Sequence, residues 1–321
     1  MSAPQSTPQG NVRRGYYYAG LNAVISGFAI FINSYGVKLF ADSTLYTTLK
    51  NAVVGVALLI PLVMFSSRRA DWGKLRPKQW ALLLLLAVIG GSVPYALFFR
   101  GLQLTTPVTS SLINHAQFLI VALLAILLLG ERLGPLLWGA LLLLLVGTTL
   151  GLNIQAVRWN EGAALVALST VLFAAGTVLA KHLLRDLSTL TVMTAKMSIG
   201  SLFLLGYVAY TGRLGAVATL SLTQWAYVVG TGLILLAFTV TALLALRYTT
   251  ATAATAIPAA APLITTALVI GWTQQIKLAP IDQLGLALTA IALIVIVALG
   301  WRRGLGVWQV RESAPQEVGI A

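Results

Sequence analysis

Cysteine is absent from this chain of 321 residues, histidine occurs twice, and aspartate and glutamate together number eight. The first absence excludes disulfides, thiolate nucleophiles and cysteine-based metal sites. The eight acids, Asp42, Asp71, Glu131, Glu161, Asp186, Asp282, Glu312 and Glu317, fall in expected connections, span edges or tails. A buried carboxylate relay for protons is therefore not expected. No GxxxxGK[ST] phosphate loop occurs, which leaves direct ATP drive without a site. Paired acids, a metal cluster or an activated nucleophile within reach of water are missing as well, so neither an enzyme nor a cofactor nor a bound metal is expected.

What is present is apolar. Hydrophobic residues make up 58% of the chain and charged ones 9%, and the mean hydropathy is +0.89, too apolar for a water-soluble domain of this length. Apolar runs of about 20 residues, enough to cross a hydrocarbon core of about 30 Å, are expected at 17–40, 44–65, 79–100, 107–129, 135–154, 162–182, 188–211, 222–246, 251–272 and 281–300. The apolar run after the polar start is too long for a cleaved signal peptide, so the first helix is expected to be retained.

The formal net charge of +13 reports topology rather than a nucleic-acid partner, which is not expected. Arg13, Arg14, Arg68, Arg69, Lys74, Arg76, Lys78, Arg132, Lys181, Arg185, Arg247, Arg302, Arg303 and Arg311 fall on one side. The other side receives Lys38, Arg100, Arg158, Arg213 and Lys277. The positive-inside rule then places both termini in the cytoplasm of a multi-pass inner-membrane protein. Tryptophans such as Trp80, Trp138, Trp159, Trp225, Trp272 and Trp301 sit near span ends, where they read as headgroup anchors.

The chain divides into similar halves. Residues 100–113, RGLQLTTPVTSSLI, align with 244–257, LALRYTTATAATAI, matching Leu102 with Leu246, Thr105 and Thr106 with Thr249 and Thr250, and Ile113 with Ile257. Lys38 and Lys50 pair with Lys181 and Lys196, the second half carrying three extra residues between them. Five spans per half is an odd number, so the second copy enters the membrane from the opposite side. Such inverted repeats are the framework of alternating-access carriers. The expectation is an all-α integral membrane protein whose ten transmembrane helices form two inverted five-helix repeats around a central cavity. It divides into a cytoplasmic tail at 1–16, the first repeat at 17–154, an extracytoplasmic linker at 155–161, the second repeat at 162–300 and a cytoplasmic tail at 301–321.

The LTTPVTSSL segment, the run LLLGERLGPLLWGALLLLLVGTTLG at 127–151 and its weaker copy at 247–300 resemble the drug/metabolite transporter superfamily, EamA type. Nearly the whole chain shares the likeness, and overall it looks close to the YddG-type bacterial exporters of aromatic and other amino acids. The family usually carries a proline in the fourth span thirteen residues before its glutamate; Phe118 stands there, while the second half has Pro262. Gln274 and Gln275 replace the Gly-Glu pair seen at Gly130 and Glu131. The resemblance implies export of a small solute, an amino acid or a similar metabolite, by a secondary carrier in the lipid bilayer. A carrier of drugs or phosphorylated sugars is the alternative within the superfamily.

Several polar groups on expected spans are candidates for substrate binding. Ser110, Asn114 and Gln117 are spaced i, i+4, i+7 on one helix face, with Ser111 and His115 in an adjoining row. Such a stripe either lines a wet cavity or bonds to neighbouring helices, because each unsatisfied polar group costs several kcal/mol in hydrocarbon. His115, interior to the fourth span, could hold a carboxylate, shuttle a proton or bond as a neutral imidazole to a neighbour. Tyr18, Asn22, Ser26 and Asn33 form a second stripe, and Ser92, Tyr95 and Phe99 a third, echoed by Ser169, Phe173 and Thr177. Aromatic and hydroxyl side chains together suit an apolar ring with a polar end, though helical aromatic stripes also serve as plain core. Lys50 and Lys196 lie within the second and seventh spans, where each either meets a substrate carboxylate or snorkels to the interface. Gly90, Gly91, Pro94, Pro258 and Pro262 interrupt spans and are candidates for gating hinges or static kinks. Gly147 and Gly151 favour close helix packing over a dimer contact, so a monomer is expected.

Overall fold

A chain crossing hydrocarbon must close its backbone hydrogen bonds internally. The computed structural model describes residues 8–65, 72–105, 109–110, 113–114, 116–150, 159–273 and 279–302, and among them there is helix and no strand. Helix α1 is Pro8–Gly36, α2 Ser43–Met64, α3 Pro77–Gly91, α4 Val93–Leu104, α5 Gln117–Leu129 and α6 Pro135–Leu150. Helix α7 is Glu161–Leu183, and α8, Thr189–Thr194, continues through a π-helical turn at Ala195–Ile199 into α9, Gly200–Tyr210. Then come α10, Leu222–Tyr248, and α11, Ala251–Ala256, which runs through a 3-10 turn at Ile257–Ala260 into α12, Ala261–Thr273, and finally α13, Pro280–Arg302.

Eight helical stretches among the described residues are long and apolar enough to cross a membrane, and α5 and α6 are shorter apolar helices. The eight coincide with eight of the expected spans. The fourth and fifth expected spans overlap α5 and α6, while parts of each lie outside the described residues. Helix α1 starts at Pro8, well before the expected residue 17. Hydropathy marks the apolar stretch, and nothing in the preceding polar turns breaks the helix.

Local chemistry sets the other boundaries. Asp42, Asn160, Ser188, Ser221 and Thr250 each accept a hydrogen bond from a backbone N–H in the first turn of α2, α7, α8, α10 and α11, satisfying donors that have no partner within the helix. The third span breaks at Ser92 (φ −135°, ψ −69°), just before Pro94. The ninth tightens around Pro258. The seventh widens into its π turn without a proline.

Neighbouring helices approach closely where side chains are absent. A Cβ on Gly90 would lie 3.5 Å from Gly176 Cα, and one on Gly101 would lie 2.7 Å from the Gly162 carbonyl. Such contacts replace the hydrophobic drive that lipid removes. Gly147 faces Thr289 and Gly285 of α13, so its close approach is made within the chain; Gly151 lies outside the described residues. Helix α1 packs on α10 and α12, α7 on α3, α4 and α5, α2 on α10, α9 and the π turn, α3 also on the π turn, α5 on α11, and α6 on α13.

These contacts define two ends. At one, the start of α1 meets the end of α10 at Gly15 and Thr249, beside Arg13, Arg14, Lys181, Arg185 and Arg247; this is the basic end. At the opposite end Arg213 pairs with Asp42 at 2.9 Å, Gln224 Nε2 donates to the Leu39 carbonyl at 2.7 Å, and Asn160 Nδ2 to the Leu104 carbonyl at 3.0 Å.

Candidate functional site

Side chains from both halves of the chain surround a cavity of about 520 Å³, within the roughly 300–1,000 Å³ span of small-molecule sites. Ser110, Asn114 and Gln117 all line it, in keeping with the i, i+4, i+7 spacing read from the sequence. The Ser110 hydroxyl is buried with no hydrogen-bond partner among the described residues. Ser111 and His115, the adjoining row, lie outside the described residues.

The stripe on α1 divides between two places. Asn22 and Ser26 line the cavity, and Asn22 Nδ2 also donates to the Phe238 carbonyl at 2.8 Å and to Thr241 Oγ1 at 2.9 Å, tying α1 to α10. Tyr18 stacks on Tyr248 with centroids 6.2 Å apart. Asn33 is elsewhere: its Oδ1 accepts from Lys50 Nζ at 3.0 Å and lies 2.8 Å from the Tyr46 hydroxyl. The Lys50 ammonium sits 5.1 Å from the Tyr46 ring centroid. An amide oxygen and an aromatic face thus satisfy this cation, and neither Lys50 nor Asn33 lines the cavity.

Aromatic rings form much of the wall. Tyr95 and Phe173 meet edge to face at 4.9 Å, from α4 and α7, and Phe98 meets Phe99 at 5.4 Å. Phe118 and Phe238 also face the space; Phe118 occupies the position where the family resemblance leads one to expect proline. Ser92 and Ser169 instead bond back to carbonyls of their own helices, Ala87 at 3.1 Å and Val166 at 2.7 Å.

Lys196 lines the cavity from the π turn, a helical irregularity frequent at functional sites. Its ammonium has no hydrogen-bond or ion-pair partner among the described residues. The expected hinge glycines are engaged in packing around it: a Cβ on Gly91 would lie 2.1 Å from the Lys196 carbonyl oxygen, and one on Gly90 3.7 Å from Lys196 Cε. Pro258 lines the cavity, Pro94 opens α4, and Pro262 lies in the first turn of α12.

Ala180, Leu246 and Ala254 mark the limit of the cavity toward the basic end. Just beyond, two charged side chains grip the connection between α10 and α11. Lys181 Nζ donates to the Leu246 and Thr249 carbonyls, both at 2.6 Å. Glu131, only 2% exposed, accepts from the Ala251 N–H at 2.6 Å, the Thr252 N–H at 3.3 Å and the Thr252 hydroxyl at 2.8 Å. A cation thus meets the carbonyl end of one helix and an anion the N–H end of the next, each with the favourable dipole sign. Gly130 makes the turn that delivers Glu131: it takes φ +70°, and the Glu131 N–H bonds back to the Ala125 carbonyl at 3.1 Å. From sequence alone Glu131 reads as an edge acid and Lys181 as a topological charge. The Gly130-Glu131 pair in the family-like segment is the signal that points to the cluster.

The profile of the EamA-like transporter family matches the chain twice in succession, over residues 13–152 and 160–298. No curated protein matches. A solved structure described as "Crystal structure of protein" shares the fold, with a TM-score of 0.67 at 17% identity, over 88% of this chain and 98% of that one.

Proposed function

We propose that this chain, which belongs to the EamA-like transporter family, is a secondary carrier that exports aromatic and other neutral amino acids from the cytoplasm by alternating access to the central cavity. The observation that carries this reading is the lining: aromatic rings beside amides, hydroxyls and one ammonium suit a solute with an apolar side chain and a charged polar head. On this reading the specificity is that of the YddG-type exporters.

The alternating-access part rests on ten spans in two inverted repeats. The successive profile matches support the repeat. So does the contact pattern, because exchanging the first five expected spans for the second five maps the principal pairings onto one another. First with eighth becomes sixth with third, first with ninth becomes sixth with fourth, and second with eighth becomes seventh with third; second with seventh, fourth with ninth and fifth with tenth each map onto themselves. The excess of Lys and Arg at the basic end supports a cytoplasmic location for that end and for both termini, in a cell whose inner membrane holds the protein. Glu131 and Lys181 then close the cytoplasmic side, and export requires their grip on the α10–α11 connection to be released and remade. The breaks at Ser92, Ala195–Ile199 and Ile257–Ala260 are the bending points.

Counterflow in proteoliposomes with labelled phenylalanine, threonine and a sugar phosphate tests the reading. Uptake of both amino acids, with mutual competition between them and none from the sugar phosphate, is expected; uptake of the sugar phosphate alone would reject it. Phe173→Ala removes one partner of the edge-to-face pair, and is expected to weaken phenylalanine against threonine by roughly tenfold in competition. Unchanged preference would remove the ring from the substrate site.

A further inference from the structure

Taking the amino-acid reading above as its basis, we infer that Lys196 is the anion site of the cavity, holding the carboxylate of the solute and setting the carrier's charge selectivity. Three observations converge on it. Lys196 projects from a π turn into the cavity. Its ammonium has no partner among the described residues, in contrast to its sequence counterpart Lys50, which Asn33 and Tyr46 satisfy outside the cavity. The described lining contains no aspartate or glutamate, so no acid among the described residues of the wall offsets the charge.

A buried ammonium in a water-accessible space inside a membrane protein is costly to keep and marks a path for charged solutes. Here the compensating charge arrives with the ligand. A lysine is a compact point charge and one such charge matches one carboxylate. A phosphate monoester carries about −1.5 to −2 near pH 7 and would leave uncompensated negative charge in a cavity whose described lining holds no second cation. A cationic solute would meet a like charge and no acid. Asn114 and Gln117, whose amides also face the cavity, supply carbonyl acceptors for the solute's amino group. The class of solute is therefore a monocarboxylate, zwitterionic or anionic, with phosphate esters and organic cations excluded.

The test uses the full-length protein in proteoliposomes, with labelled phenylalanine counterflow and four competitors: phenylalanine, 3-phenylpropionate, which lacks the amino group, phenethylamine, which lacks the carboxylate, and a sugar phosphate. In the wild type the two carboxylates are expected to compete and the other two to fail. Lys196→Met is expected to lower phenylalanine affinity by roughly 10- to 100-fold, the equivalent of one charge-assisted hydrogen bond, and to abolish the preference for phenylalanine over phenethylamine. Thermal unfolding in detergent separates this from misfolding: with no partner lost among the described residues, the variant is expected to melt at or above the wild-type temperature. Wild-type competition by phenethylamine equal to that by phenylalanine overturns the inference, as does a Lys196→Met carrier that keeps the preference or melts well below wild type. Absence of amino-acid counterflow in the wild type would reject the underlying transport reading instead.

Discussion

Glu131→Ala is expected to destabilise the protein by about 3–5 kcal/mol, the range for removing one side of a buried charged interaction. The carboxylate is the acceptor for two N–H groups at the start of α11 and for the Thr252 hydroxyl. Deleting it leaves those donors buried, each costing about 1–3 kcal/mol when unmet, and the costs overlap because the end of the helix can shift. Lys181, which grips the same connection, loses a nearby countercharge as well. Glu131→Gln keeps an acceptor oxygen and is expected to lose less. Unfolding in mixed detergent micelles, followed by circular dichroism, measures both variants. A loss below about 1 kcal/mol for the alanine variant would mean that water already reaches this helix terminus, and that the cavity is not sealed there.

Gly91→Ala is expected to cost about 3 kcal/mol or more and to reduce transport in proportion. The added Cβ would stand 2.1 Å from the Lys196 carbonyl oxygen and 3.2 Å from Gly200 Cα. Both obstacles are backbone, so no rotamer change relieves the overlap, and the cost falls at or beyond the upper end of the roughly 1–3 kcal/mol seen for overpacked cores. Relief requires moving the π turn that carries Lys196. Gly139→Ala is the control, since a Cβ there meets nothing within 4 Å; helix propensity favours it by up to about 1 kcal/mol. Equal melting temperatures for Gly91→Ala and wild type would contradict the close approach of the third and seventh spans.

How much of this was legible in the chain depends on the range over which each feature is determined. Spans are local: a run of about 20 apolar residues declares itself, and helices such as Ser43–Met64 and Leu222–Tyr248 lie within a residue or two of where hydropathy places them. The grouping of Ser110, Asn114 and Gln117 in the cavity wall was legible locally too, because their i, i+4, i+7 spacing points one way on a helix. Asn33 and Lys50 show the limit. Each resembles a cavity residue by position, yet Tyr46 and Thr231, the latter from a distant helix, draw them into a separate network. Lys196 lines the cavity, and among the described residues no such network forms around it. Glu131 was hidden for a related reason: an acid at a span edge ordinarily faces water, and its burial depends on the start of α11, 120 residues away. The hinge positions were recognised as irregular from Gly and Pro, but the packing of Gly91 against the Lys196 backbone is a tertiary fact with no local signature.

The absence of cysteine makes the central claim directly measurable. Thr177 lines the cavity and, among the described residues, its hydroxyl bonds only to its own helix, at the Phe173 carbonyl, so Thr177→Cys places one thiol in the wall with little disturbance. Membrane-impermeant maleimide applied to right-side-out and to inside-out vesicles should label it from both faces, with a phenylalanine gradient shifting the ratio. Labelling from one face alone under every gradient, or from neither, would contradict a cavity that opens to each side in turn.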